Sequence, residues 1–291
     1  MPWQRELRTF LHNSTAAVLL LTALCTAASC STISFKEHTR MSLYISHRGE
    51  SADAPENTLP AFRLSNERDA DGMETDIHLT SDGILVCSHD SDTKRMANGR
   101  SYVIEEYSFE FLATLDVSGK HAAYRGARIP LFAESLETLK PGRKYFVEIK
   151  ADDENVLEEM KRTLEIAGTP MEQIVVISFH ANMIAACRRL MPDTPALWLT
   201  WWGFDKNGEQ NKTADDIFAT LERIGATGLD IGGAPELLTK EFLAEVKRRG
   251  YYLAVWTIDT PDRCRFFEEA GVDAITSNKA AMMKAVLHGE K

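Results

Sequence analysis

The sequence predicts an α/β protein: a closed (β/α)8 barrel of parallel strands, with a small insertion after the second βα region. Three observations lead there. Apolar runs of four to eight residues alternate with segments of helical periodicity from about residue 43 to residue 287. Read as strands beginning near 43, 73, 144, 174, 196, 228, 251 and 273, these runs number eight, the count that closes a parallel barrel. Polar clusters fall where the apolar runs stop, as they do when a site is built on the carboxyl ends of parallel strands. An open doubly wound sheet is the alternative, but no glycine-rich phosphate loop follows the first strand. The 291 residues suffice for one large core, since α/β barrels run to roughly 250 residues as a single domain.

The first residues read as a leader rather than as fold. Arg5 and Arg8 precede an apolar stretch over 16–28, too short to span a bilayer comfortably, and Ala27-Ala28-Ser29 stand directly before Cys30. This is the pattern of a signal peptide over 1–29. The cysteine after small residues also resembles a bacterial lipoprotein signal, with Cys30 lipidated. A soluble secreted protein and a retained anchor are the alternatives. Each of the first two readings places the protein outside the cytoplasm, in a bacterial periplasm or cell envelope. Lipidation would make it a peripheral membrane protein through Cys30. Residues 30–42 read as a tether, and 43–291 as the folded domain.

The first strand, 43–46, stops at His47-Arg48-Gly49. A helix follows over about 58–68, with Asn57 as its N-cap. Gly72 opens a second strand over 73–79, and a third run over 84–88 pairs beside it and ends at His89-Asp90. Residues 91–128 show no strand–helix alternation and read as an excursion from the barrel, either a lid over the active face or a plain loop. Alternation then resumes. Strands are predicted over 144–150, 174–179, 196–200, 228–231, 251–258 and 273–277, and helices over 131–139, 155–167, 181–190, 213–224, 240–249, 261–270 and 280–287. Pro261 near a helix start and Gly271 after its end show the usual asymmetry of helix boundaries.

Side chains two apart on a strand share a face, so Glu74 and Asp76 stand side by side, with His78 one step further along. Two such carboxylates repel unless a cation or proton lies between them. Hard cations such as Ca²⁺ and Mg²⁺ take oxygen-only sites of this kind. Glu148 and Lys150 share a face at the end of another strand. The residues alone therefore read as a metal–carboxylate site flanked by His47 and His89. Taken singly, each is more simply a solvated strand face, an ordinary histidine or a mutual ion pair; the combination favours the site.

At this point the sequence resembles a known family. His47-Arg48-Gly49, Pro55-Glu56-Asn57-Thr58, Glu74-Thr75-Asp76, Thr80-Ser81-Asp82-Gly83 and His89-Asp90 match, in order, the pattern of glycerophosphodiester phosphodiesterases. The resemblance covers nearly all of 43–287 and is densest before Asp90. It implies a TIM-type barrel that hydrolyses glycerophosphodiesters to glycerol 3-phosphate and an alcohol with a divalent cation, Ca²⁺ or Mg²⁺. It maps Glu74, Asp76 and Glu148 onto the metal ligands, His47 and His89 onto the acid/base pair, and Trp256 onto the pocket wall. Arg48 suits bidentate contact with a phosphoryl group, and Lys150 can add a point charge. Which imidazole is acid and which is base stays open, as does the choice between attack by water and a cyclic phosphate route. His78 reads as facing inward but secondary, Asp230 receives no role, and Asn57, mainly a structural cap, lies near the site by the resemblance.

The formal charge of -10 and the lack of a basic stripe argue against nucleic acid as a partner. The expected partner is a small glycerophosphodiester. Cys87, Cys187 and Cys264 lie outside the leader without CxxC or finger spacing, so they read as small buried hydrophobes rather than zinc ligands. Trp198, Trp201 and Trp202, with Phe204, cluster around the end of the fifth barrel strand, as a wall for the alcohol, a lipid contact or a structural patch. Two other functions compete. One is a phospholipase D-like or glycerophosphate-polymer-cleaving barrel; the other is a surface lipoprotein that binds glycerophosphodiesters without turnover.

Overall fold

The structure, a computed structural model, describes residues 41–289. The predicted signal peptide, Cys30 and all of the tether before Met41 lie outside the described residues. Ser42 is already buried, its hydroxyl donating to the Val272 carbonyl.

Nine strands form one sheet: β1 (Leu43–Ser46), β2 (Gly72–Leu79), β3 (Leu85–Cys87), β4 (Lys144–Ile149), β5 (Ile174–Ser178), β6 (Ala196–Trp202), β7 (Gly228–Gly233), β8 (Tyr252–Val255) and β9 (Ala274–Ser277). Eight of them are parallel and close into a barrel in the order β1-β9-β8-β7-β6-β5-β4-β2, with β1 pairing β2 to complete the ring. The ninth, β3, runs antiparallel to β2 and extends that strand's far end. This is the predicted TIM-type (β/α)8 barrel. Its helices are α1 (Leu59–Glu67), α2 (Phe109–Leu112), α3 (Phe132–Leu136), α4 (Glu154–Ala167), α5 (Ala181–Leu190), α6 (Ala214–Ile224), α7 (Lys240–Arg248), α8 (Pro261–Glu269) and α9 (Ala280–His288).

Two apolar layers follow from the period of two along each strand. Ile45, Phe146, Val175, Ile177, Leu197, Leu199, Ala254 and Ala274 fill the barrel interior. The alternate residues, among them Tyr44, Met73, Tyr145, Val147, Val176, Leu229 and Ile275, pack outward against the helices. All three cysteines of the barrel, Cys87, Cys187 and Cys264, are free and buried. Between β3 and α3 the chain builds a third, separate cluster from Ala97, Ile104, Leu112, Leu115, Val117 and Ile129 over Val86.

Three local expectations need correction. Asn57 is not the cap of α1: that position belongs to Thr58, whose side chain makes no capping bond. Asn57 instead adopts φ +54°, a left-handed conformation that asparagine tolerates better than most residues, and turns its side chain toward β2. The strand β6 runs two residues past its predicted end, because Trp201 and Trp202 continue the ladder opposite Gly232 and Gly233. The strand β8 stops at Val255, so Trp256 lies just beyond it.

Candidate active site at the carboxyl rim of the barrel

The register of β2 against β4 explains why acidic groups meet. Asp76 pairs with Glu148 and Glu74 with Phe146. Residues facing each other in a parallel ladder share a face, so Asp76 and Glu148 are inward neighbours and Glu74 stands one step lower on the same row. Oxygen atoms of Glu74, Asp76 and Glu148 lie within 4.8 Å of one another, and all three residues are buried.

Cations and amides hold this cluster from two sides. The Arg48 backbone N–H donates to Glu74 Oε2 at 2.8 Å, and Arg48 Nε lies 3.3 Å from Asp76 Oδ2. Lys150 Nζ stands 2.8 Å from Glu148 Oε1 and 3.4 Å from Asp76 Oδ1. Neither contact to Asp76 has hydrogen-bond geometry, so Arg48 Nε and Asp76 Oδ1 both remain buried without a hydrogen-bond partner among the described residues. Asn57 Nδ2 donates to Asp76 Oδ2 at 2.8 Å, while Asn57 Oδ1 accepts from the Thr75 hydroxyl and the Asp76 N–H. Asn57 thus clamps the central carboxylate, a role its place beside a helix start conceals.

The electrostatics ask for positive charge. Burial and the charge of Asp76 push Glu74 well above the carboxylate range and Glu148 up to about 8. Burial opposes ionisation of Asp76 too, but Lys150 and Arg48 hold it below its usual value. Two of the three carboxyls are therefore driven toward neutrality by their own neighbours. A cation among them would let all three ionise, and the donor set of carboxylate oxygens suits a hard divalent ion. The residues fit such an ion.

Two imidazoles flank the cluster, and their partners differ. Nδ1 of His47 lies 2.8 Å from Asn278 Oδ1. That amide cannot present its NH₂ to His47, because Nδ2 donates to Asp259 Oδ2 at 2.6 Å. His47 Nδ1 therefore carries the proton and Nε2 a free lone pair. Burial and the neighbouring Arg48 lower His47 to about 4, leaving a neutral ring at ordinary pH. Nδ1 of His89 instead faces a carboxylate, Asp90 Oδ1, at 2.7 Å. Asn278 and Asp259 escaped the sequence reading. Their only signals were the polar stretches after the last two strands, Asp259 beyond β8 and Asn278 directly after β9, and their role depends on β9 lying between β8 and β1.

The remaining predicted residues fall as follows. His78 is buried on the Glu74–Asp76 row, with Nε2 3.3 Å from the His89 carbonyl. Trp256 faces the rim, its Nε1 donating to the Asp230 carbonyl at 3.3 Å. Around it stand Phe179, with ring centres 5.6 Å apart, and Trp201, at 6.1 Å. Phe179, Trp201 and Phe204 are each close to half exposed. Gly232 makes room for this wall, since a Cβ there would sit 3.0 Å from the Trp201 ring. Trp202 points the other way and packs under Phe242, at 4.6 Å, so it leaves the wall and joins the outer core.

Asp230 is on β7, buried inside the barrel, with Oδ1 unpartnered among the described residues. Burial alone pushes its carboxyl up to about 7. The folded value exceeds the unfolded one, so its contribution to stability is full below about pH 4 and is lost as pH rises through 7. Asp230→Asn should therefore gain about 2–4 kcal/mol in unfolding free energy at pH 8 relative to its effect at pH 4. Chemical denaturation at the two pH values measures this, and an equal effect at both would remove the account.

Groups of this kind, raised on a rigid rim around one point, are an enzyme's arrangement. Residues 47–282 match the model of the Glycerophosphoryl diester phosphodiesterase family, and the chain belongs to that family of phosphodiester hydrolases. A glycerophosphodiester phosphodiesterase of Bacillus altitudinis is 31% identical over 243 residues, covering 81% of this chain and 94% of its own. Human glycerophosphodiester phosphodiesterase 1 is 28% identical over 245 residues, covering 77% of this chain and 74% of its own. Among solved structures, an Oleispira antarctica phosphodiesterase in complex with the product sn-glycerol-3-phosphate superposes with a TM-score of 0.74. It is 22% identical and covers 85% of this chain and 97% of its own.

Proposed function

We propose that the protein hydrolyses glycerophosphodiesters to sn-glycerol 3-phosphate and an alcohol. One observation carries this reading: carboxylates from two different strands converge within 4.8 Å of one another at the rim of a barrel of this family. Glu74, Asp76 and Glu148 would hold a divalent cation, Ca²⁺ or Mg²⁺. Such a cation, when bound, draws off the charge that builds on phosphoryl oxygens.

The chain's own groups supply the rest. Arg48 projects its guanidinium beside Asp76 and can take a phosphoryl oxygen, as a planar fork does best. Lys150, already on Glu148 and Asp76, adds a second positive charge at the same point. His47, neutral with a free Nε2, is the proton acceptor. His89, whose Nδ1 faces Asp90, has a carboxylate to balance a positive ring and is the donor to the leaving oxygen. Trp256, Trp201 and Phe179 form the side of the mouth that takes the alcohol.

A second reading is favoured by the exposed Phe179, Trp201 and Phe204, which offer apolar surface beside the site. They suit a lipid-borne ester, cleaved by the same groups. Coupled assays for glycerol 3-phosphate and for free choline separate the two, run on glycerophosphocholine, other head groups and intact phospholipid. The expected result is release from the soluble diesters, loss on chelation and recovery with Ca²⁺ or Mg²⁺. Choline released only from the lipid would give the second reading the case. Full activity in chelator would remove the cation from both.

A further inference from the structure

We infer that Arg95 is a positioning residue for the reaction, which fixes His89 relative to Arg48 by holding the carboxylate partner of each at once. The inference rests on the roles proposed for those two residues.

The contacts form an unbroken chain of alternating charge. Asp90 gives Oδ1 to His89 Nδ1 and Oδ2 to Arg95 Nε, at 2.7 Å each. The far end of the same guanidinium grips Glu56 with both nitrogens, at 2.7 and 2.8 Å. Glu56 Oε1 also accepts from Arg48 Nη1 at 2.8 Å, and Arg48 Nε reaches Asp76 at 3.3 Å. All three nitrogens of the Arg95 guanidinium are thus used, in a planar arrangement that a lysine could not reproduce.

Surface ion pairs contribute little to stability, and the Arg95 side chain is 45% exposed. What this arrangement supplies is geometry. Asp90 follows His89 directly, in a loop with no ladder partner of its own, and without Arg95 its second oxygen would be free to swing. The carboxylate that orients the imidazole would then lose its own orientation.

The arm that carries Arg95 is itself held in place. The Thr93 N–H donates to the Tyr102 carbonyl at 3.1 Å and its hydroxyl to the Arg100 carbonyl at 2.7 Å, closing the turn. Asp92 bridges Val103. Tyr102, Tyr107 and Phe111 pack ring to ring at 4.8–5.2 Å, beside the small core of residues 97–129. The excursion between β3 and α3 therefore has a specific task. It delivers one guanidinium across the rim between two loops that the barrel itself does not join.

The test uses the full chain with saturating cation and glycerophosphocholine. Arg95→Ala should lower kcat by about 10- to 100-fold, the usual cost of removing an outer partner of a functional group. KM and the thermal midpoint should hold, and added guanidinium ion should restore part of kcat. Arg95→Lys should recover only a minor share. In a cycle with Asp90→Asn, the double variant should lose clearly less than the product of the two single losses, because the two substitutions share the Asp90–Arg95 contact. A raised KM with kcat intact would make Arg95 a substrate contact instead, and strictly additive losses would show it acts independently of Asp90. Either result overturns the inference, as does a kcat loss that tracks unfolding and resists rescue. His89→Ala, run alongside, separates the two levels. Full activity there removes the role proposed for His89 itself, whereas loss there with Arg95→Ala unaffected overturns only this inference.

Discussion

Glu74→Gln is expected to lose cation binding and catalysis together, while the cation-free protein becomes more stable at neutral pH. Glu74 lies in the barrel with Asp76 and Glu148 around it, and its carboxyl is pushed up because ionising it there is costly. Its raised value sets the sign: its share of stability is present below the unfolded carboxyl value and is lost as pH rises through the folded one. An amide escapes that cost, keeps the shape and can still accept from the Arg48 N–H. It cannot, however, give an anionic oxygen to a divalent ion. Several kcal/mol of charge stabilisation at the phosphoryl group goes with the ion, and about 4 kcal/mol is about a thousandfold in rate. Thermal scans with and without Ca²⁺ or Mg²⁺ give the second readout. A ligand at about a hundred times its Kd stabilises by about 2.7 kcal/mol, so the parent protein should shift and the variant should not. A variant that keeps full activity, or still gains stability from the cation, would take Glu74 out of the ligand set.

How much of this was legible beforehand depends on the range of the interaction. Glu74 with Asp76, and Glu148 with Lys150, could be read because a strand puts i and i+2 on one face whatever surrounds it. His47, Arg48 and His89 could be read because each stands where an apolar run ends. The barrel followed from the spacing of those runs. Other features depended on what the closed ring brings together. Asn278 meets His47 across 231 residues, and only because β9 lies beside β1. Arg95 meets Glu56 across 39, through a segment with no periodicity to read. Asn57 misled for a different reason. An asparagine before a helix has the chemistry of a cap, but a left-handed backbone one residue early turns that chemistry toward Asp76 instead. The tryptophans divided on parity. Adjacent residues on a strand face opposite ways, so once β6 extends through both, Trp201 joins the mouth and Trp202 the outer core. The same rule that found the acids would have separated them, had the strand's end been placed two residues later.

His47→Ala should reduce kcat by about 10²- to 10⁴-fold, the range that a placed acid or base supplies, and the pH profile of the unaltered protein should show why. A free imidazole loses its proton near 6.5, so a base built on one would fail below that pH. His47 is lowered to about 4 by burial and by Arg48. The Asp259–Asn278 pair fixes which of its nitrogens is bare. The neutral, accepting ring should therefore persist to about pH 5, and kcat/KM should fall as pH drops through about 4. The same depression adds stability that is complete above about 6.5 and is lost toward 4 as the folded ring is forced to charge. Saturating cation is needed for the measurement, since Glu74 and Glu148 take up protons in the same direction and would release the ion first. Under that condition the acid limb belongs to His47, and it should be absent from the residual activity of His47→Ala. An acid limb near 6.5 in the parent protein, or one that survives the substitution unmoved, would mean that the buried imidazole is a fixed polar prop and that the proton goes elsewhere.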